Sequence, residues 1–182
     1  FLCGDTPLIN AETLLHMEEV ATSSAQAVVM LSADVEQPVG LGRVLRNGNN
    51  VLRIIEEHDA TSEEQLICEV NAGVYYCPQS DFPRKITAQL ECNNKQGEYY
   101  LTDLIKHAAQ DGKLHAVKAI DANVIWGVNT RVDLQRVESL MQQRLILQHM
   151  QRGVTFLQPH TVRLGSDIQI SRDVTIGPNI QI

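Results

Sequence analysis

Several short stretches carry side chains whose types and positions could do chemistry. Gly4-Asp5-Thr6-Pro7-Leu8 follows directly on the apolar run Phe1-Leu2-Cys3. That order puts a carboxylate just past the end of a strand, where open α/β sheets hold their ligands. An aspartate there can bind a metal ion, and Gly4 lets a ligand approach the backbone; a simple Asp-Thr-Pro turn is the competing reading. Gly40-Leu41-Gly42 sets two glycines around one residue, which suits close backbone approach or a bulge. Glu56, Glu57, His58 and Asp59 form a charge cluster at the far end of what reads as a hairpin, a pattern more often met on solvated surface. Asn71 sits inside a strand-like run, and a buried strand asparagine needs partners, from the protein or from a ligand.

The elements that must position these residues alternate between strand and helix. Asn10 can cap a first helix that turns Leu14, Leu15 and Met17 inward and ends at Ser23-Ser24. The apolar run 27–31 reads as a strand buried on both faces of a parallel sheet. Val44 and Leu45, a turn of Asn47-Gly48-Asn49-Asn50, and the strand Val51 to Ile55 read as a hairpin. Thr61 and Glu64 have capping-box spacing. A strand over 67–76 ends before Pro78, and a helix runs from Asp81 to about Leu90. Asn93-Asn94-Lys95-Gln96-Gly97-Glu98-Tyr99-Tyr100 then leads into a helix with Leu101, Leu104, Ile105 and Ala108 on one face, stopped at Gly112. A strand follows over 114–120. Asn129 or Thr130 caps a long helix from about Arg131 to Gln151, with Val132, Val137, Leu140, Met141, Leu145 and Ile146 as its apolar stripe and Gly153 after its end. Beyond it, Val162, Ile168, Val174 and Ile180 recur every six residues, as do Leu164, Ile170, Ile176 and Ile182. A six-residue aliphatic register is the mark of a hexapeptide parallel β-helix, of which about one coil is present.

The chain has 182 residues, 43% of them apolar and 4% aromatic, enough for a sizeable aliphatic core. A formal charge of −7 argues against nucleic acid or an anionic membrane as general partner, so an anionic substrate would need help from a metal ion or from backbone N–H groups. Cys3, Cys68, Cys77 and Cys92 form no Cys-x-x-Cys or Cys/His cluster, which makes a zinc site improbable and suits a reducing compartment. No signal peptide or spanning apolar run is visible. The chain opens on Phe1 and closes on Ile182 within a repeat, so it reads as part of a longer protein.

The run Gln96-Gly97-Glu98-Tyr99-Tyr100-Leu101-Thr102-Asp103 resembles a segment of the bacterial uridylyltransferases that make UDP-N-acetylglucosamine. The order α/β half, long helix and hexapeptide repeats resembles the bifunctional N-acetylglucosamine-1-phosphate uridyltransferase/glucosamine-1-phosphate N-acetyltransferase family. That resemblance runs from Phe1 to Ile182. It implies a partial Rossmann-like nucleotidyltransferase sheet over 1–131, a linker helix over 132–153, and the first coil of a left-handed parallel β-helix over 154–182. By motif, Asp5 corresponds to the family's magnesium aspartate and Asn129, in Gly127-Val128-Asn129-Thr130-Arg131, to the second Mg2+ ligand. Gly4, Asp5, Gly42, Glu56, Asn71 and Asn129 match positions lining the UDP-N-acetylglucosamine site. Tyr99, Tyr100 and Thr102 fall near the sugar with no assigned contact.

The resemblance implies transfer of UMP from UTP to N-acetylglucosamine 1-phosphate in envelope-precursor synthesis, in a cytoplasmic homotrimer. It also implies acetyl transfer from acetyl-CoA in a later part of the longer protein. The family's Gly-rich loop for UTP finds no counterpart here, so the isolated chain is expected to be inactive. The sequence departs from the family at His58, where lysine is common, at Ala72, where threonine is frequent, and at Trp126. Two alternatives remain, a nucleotidyltransferase for another hexose 1-phosphate and a non-catalytic regulatory paralogue.

Overall fold

The structure is a computed structural model that describes residues 1–24, 28–78, 102–110 and 112–182. The expected helix from Asp81 to about Leu90 and the run from Asn93 to Leu101, with Tyr99 and Tyr100, lie outside the described residues. The chain divides into two units, Phe1–Ile125 and Trp126–Ile182.

The first unit is built on a mixed sheet. Its strands are β1 (Val28–Asp34), β2 (Arg43–Asn47), β3 (Asn50–Ile55), β4 (Glu69–Tyr76) and β5 (Leu114–Lys118), in the order β3-β2-β4-β1-β5. Every residue of β1 from Val28 to Ala33 is buried, as an unbroken aliphatic run requires when both faces of a strand are covered. β1 runs parallel to β5 and antiparallel to β4. β2 and β3 form the expected hairpin, with Gly48 in the left-handed region at φ 59° in its two-residue turn.

Helix α1 (Ala11–Ser23) is capped by Asn10, whose side-chain oxygen accepts from the Thr13 N–H at 2.8 Å. It buries Met17 and Ala21, four residues apart on one face. Leu14 and Leu15, expected inward, are 38% and 58% exposed. Leu15 lies two residues from Met17, roughly 200° around the helix, so the two cannot share a face. Helix α2 (Thr102–Gln110) turns Ile105 and Ala108 onto a core of Val28, Met30, Val44, Val51 and Tyr75. Gly112 follows at φ 66°, and the Lys113 N–H reaches back to the Ala108 carbonyl at 2.9 Å. Phe1 and Leu2, expected at the end of a buried strand, are about half exposed, although Phe1 is hydrogen-bonded to Tyr75.

β4 carries a bulge. Met30 stands opposite Tyr75 and Ser32 opposite Asn71, so two residues of β1 span four of β4. Gly73 takes up the excess at φ 69°, a conformation that costs a side-chain-bearing residue energy.

A charged group is buried in the same strand. Glu69 accepts from Nε and Nη2 of Arg46, each at 2.6 Å, and from the Ser32 hydroxyl at 2.7 Å. Burial alone would raise the Glu69 pKa; the Arg46 and Ser32 hydrogen bonds outweigh it and hold the carboxyl below its ordinary value. A depressed folded-state pKa stabilises the fold above the unfolded-state value of about 4.3, and that contribution disappears as the pH falls through the folded-state pKa. Glu69→Gln is expected to lower stability at pH 7 by about 2 kcal/mol, discounted because Arg46 is partly solvated. It is also expected to reduce the loss of stability between pH 5 and pH 3. Thermal unfolding across that range checks both; equal acid sensitivity in variant and wild type would contradict the assignment.

The second unit opens with Trp126, whose ring stacks under the Arg136 guanidinium, 3.6 Å from the ring centroid. Helix α3 (Arg131–Gln151) starts at a capping box, with the Thr130 side chain accepting from the Asp133 N–H and Asp133 accepting from the Thr130 N–H. Val137 and Ile146 are buried, whereas Val132, expected in the same stripe, is 77% exposed. Val132 precedes Val137 by five residues, about 140° off its face.

Strands β6 (Thr155–Phe156) and β7 (Thr175–Ile176) pair in parallel, and Arg163 pairs in parallel with Gln181, 18 residues on. Eighteen residues are three of the hexads read from the sequence. The Leu164, Ile170 and Ile176 row packs inward with Val154, Phe156 and Val162 against Ile146. Val174 and Ile180 of the other row are more than a third exposed. Asp173 and Asn179, six apart, both adopt positive φ. The Gln142 amide ties α3 to this segment, donating to the Leu164 carbonyl at 2.9 Å and accepting from the Leu164 N–H at 2.8 Å.

Candidate functional site

Of the expected sugar-side residues of the first unit, Gly42, Glu56 and Asn71 lie close together, and Gly4 and Asp5 sit on a separate exposed turn. Phe1 exchanges two backbone hydrogen bonds with Tyr75, at 2.7 and 3.0 Å, and Cys3 Sγ lies 3.6 Å from the Gly73 carbonyl oxygen. The segment before Gly4 therefore runs along β4 to the bulge. The Thr6 hydroxyl donates to the Cys3 carbonyl at 3.0 Å, and Leu8 is fully buried. These two anchors fix a turn on which Gly4 and Asp5 are exposed.

Across the bulge, the Asn71 N–H donates to the Gly42 carbonyl at 2.9 Å, and the Asn71 side-chain oxygen accepts from the Gly73 N–H at 3.1 Å. Gly42 in turn lies against Glu56. A Cβ at position 42 would stand 3.0 Å from Ile54 Cγ2 and 3.3 and 3.4 Å from the two Glu56 carboxylate oxygens. The Thr102 hydroxyl donates to Glu56 Oε1 at 3.0 Å. Hydrogen bonds thus join Asn71 to Gly42 and Thr102 to Glu56, and Gly42 stands close enough to Glu56 that a side chain at 42 would meet the carboxylate.

The charge cluster after β3 divides into two tasks. Glu57 is a staple: it accepts from the Gly40 N–H and pairs with Arg43 Nη2 at 3.5 Å. Arg43 is 2% exposed and also donates to the Leu41 and Gln65 carbonyls. This network ties the loop that carries Gly42 to the turn that carries Glu56. Glu56 is left facing Gly42 and Thr102.

Asn129 belongs to the second unit. It is exposed, and its N–H donates to Asp133 Oδ2 at 3.2 Å, beside the Thr130 N–H at 2.8 Å. The Thr130 hydroxyl first, then the backbone N–H groups, hold the Asp133 carboxyl below its ordinary pKa. Asp133 and the Trp126–Arg136 stack therefore shape the segment from which Asn129 projects. No group of three or more His, Cys, Asp and Glu that could hold a metal occurs among the described residues. No described helix is long and apolar enough to cross a membrane.

Two residues of this site were not assigned from the sequence. Thr102 was placed near the sugar without a contact, and its bond to Glu56 is a long-range pairing that no local pattern encodes. Tyr75 read only as an apolar strand residue. It is 3% exposed, yet its hydroxyl has no hydrogen-bond partner among the described residues. Burial pushes its pKa up; the nearby Asn71 side chain opposes that rise, and the Glu56 charge adds to it.

A crystal structure from Bacillus anthracis, described as a glucose-1-phosphate thymidylyltransferase, superposes with a TM-score of 0.53 over 72% of this chain and 49% of that one. At 21% identity that likeness establishes the fold alone. Along nearly its whole length the chain is homologous to a segment of the bifunctional GlmU proteins. It is 42% identical to the protein of Trichlorobacter lovleyi over 97% of this chain, and 39% and 38% identical to those of Geotalea uraniireducens and Clostridioides difficile over the whole of this chain. It spans about two fifths of the length of these relatives. No model of a known protein family matches the chain.

Proposed function

We propose that the chain supplies the sugar side of a nucleotidyltransferase site. The longer protein would transfer UMP from UTP to N-acetylglucosamine 1-phosphate, giving UDP-N-acetylglucosamine and pyrophosphate. The observation that carries this reading is the grouping of Asn71, Gly42, Glu56 and Thr102, in a sequence 37–42% identical to a segment of the GlmU proteins. A half-buried carboxylate, a strand amide and glycine backbone N–H groups suit a sugar bearing hydroxyls and an acetamido group. Gly4, Asp5, Gly42, Glu56, Asn71 and Asn129 are the proposed UDP-N-acetylglucosamine-binding residues.

The phosphate oxygen of the sugar substrate is already anionic. It forms a bond to the α-phosphorus of UTP as the bond to the departing pyrophosphate breaks, and no general base is needed. The protein's part is in-line positioning and charge neutralisation. Asp5 and Asn129 are the residues that would hold Mg2+. Their donors are hard oxygens, few in number, as an ion that keeps several waters requires, and Asp5 is exposed on an anchored turn. When bound, the ion supplies positive charge to the phosphates.

By the same reasoning residues 1–131 are part of a nucleotidyltransferase domain, 132–153 a linker helix, and 154–182 the first coil of a left-handed β-helix. In the longer protein that β-helix would belong to a cytoplasmic homotrimer that also acetylates glucosamine 1-phosphate from acetyl-CoA, for envelope-precursor synthesis.

The test is pyrophosphate release by the full-length protein given UTP, magnesium and either N-acetylglucosamine 1-phosphate or glucose 1-phosphate. Preference for the acetamido sugar supports the reading. Preference for glucose 1-phosphate would transfer the chain to the other hexose class, and no turnover from folded protein would favour a regulatory paralogue.

A further inference from the structure

The Tyr75 hydroxyl is a buried donor with no acceptor among the described residues. Its ring packs in the core cluster with Val44, Ile54 and Ile105. Each of those cluster members is close in sequence to a residue of the candidate site. Val44 is two residues along β2 from Gly42, Ile54 is two residues before Glu56, and Ile105 is one helical turn after Thr102. Tyr75 lies on β4, the strand that carries Asn71, and the Asn71 side chain and the Glu56 charge both act on its hydroxyl, so the hydroxyl stands near two residues of the candidate site. The bulge at Gly73 shifts the pairing of Tyr75 relative to Asn71 and so sets its direction. A buried phenol without an acceptor among the described residues is costly and rare, and a reserved ligand contact is an economical account of it. Burial keeps the phenol protonated, and hence a donor, throughout the neutral range.

We propose that the Tyr75 hydroxyl donates a hydrogen bond to the acetamido carbonyl of the bound sugar, making Tyr75 a specificity-determining residue of this site. The inference rests on the function proposed above. Glu56 can only accept, so it takes a proton from a sugar hydroxyl or N–H, while Tyr75 adds the complementary donor nearby. An amide carbonyl is the strongest neutral acceptor that an N-acetylated sugar carries. A sugar with a plain hydroxyl in its place leaves the buried phenol poorly paired, and sites that leave a buried polar group unpaired discriminate strongly.

The experiment is Tyr75→Phe in the full-length protein, which removes one oxygen and keeps the ring. Pyrophosphate release is followed with N-acetylglucosamine 1-phosphate and with glucose 1-phosphate, and UDP-N-acetylglucosamine binding is measured by calorimetry. The expected result is a KM for the acetamido sugar raised about tenfold, with the KM for UTP and the unfolding temperature held. The preference over glucose 1-phosphate narrows by the same factor. A wild-type enzyme that binds and prefers the acetamido sugar, with Tyr75→Phe matching it in both, overturns this inference and leaves the function standing. A wild-type protein that neither binds UDP-N-acetylglucosamine nor releases pyrophosphate overturns both.

Discussion

Asp5→Ala in the full-length protein is expected to lower kcat/KM for pyrophosphate release by about 10³-fold or more, the scale on which a metal's charge acts on a phosphoryl transition state. Under the proposed function Asp5 would carry this weight, because a net charge of −7 on this chain offers little general attraction for two anionic substrates. Neutralisation has to be local. The fold should not suffer, since Asp5 is exposed and its turn is held by Thr6 and Leu8. Asp5→Asn separates charge from shape: it keeps an oxygen donor and loses the negative charge. Its activity should fall between wild type and Asp5→Ala, and its half-saturating magnesium concentration should rise. A magnesium titration by isothermal calorimetry gives the same comparison without turnover. If all three proteins share one magnesium dependence, Asp5 is not a ligand.

The second large effect is expected at Gly42. No positive φ is demanded there, so the requirement is space and not backbone freedom. A Cβ at 3.0 Å from Ile54 Cγ2 and 3.3 Å from a Glu56 oxygen forces both to yield by tenths of an ångström. Gly42→Ala should therefore raise the KM for the sugar phosphate by about tenfold. Gly42→Val adds two methyl groups and displaces the Glu56 carboxylate outright, which should lower kcat/KM by about 10²-fold, as small misplacements in a site do. The valine should also destabilise by about 1–3 kcal/mol through overpacking. The KM for UTP should hold in both variants. Steady-state kinetics ranked Gly, Ala, Val would support the contact; equal sugar KM values across the series would refute it.

Local patterns in this chain were legible where one element decides the outcome. Asn10 and Thr130 were readable as caps because a cap needs only the side chain and the next turn. Gly48 and Gly112 were readable because positive φ is nearly a glycine property. The apolar run of β1 was readable because a strand covered on both faces has to be aliphatic throughout. What failed was the face of a helix at its margins, since Leu14, Leu15 and Val132 are apolar but lie off the buried stripe. The contact between Gly42 and Glu56 was legible only as two suspicious residues in separate motifs. Their meeting depends on the pairing of β2 with β3 and on the Arg43–Glu57 staple. Tyr75 was invisible as a polar residue because its ring satisfies the strand pattern completely.

The arrangement of β1 has a consequence for synthesis. Its parallel partner β5 begins 86 residues downstream, at Leu114 opposite Val28. At about 5–20 residues per second, roughly 4–17 s separate the emergence of the two strands from the ribosome. Until Glu69 emerges, 41 residues after Val28, β1 lacks its partner β4 as well, and until Leu114 emerges the edge that β5 will cover is an open template for a neighbouring nascent chain. Slower translation of residues 34–114 would lengthen the exposure without altering the finished fold.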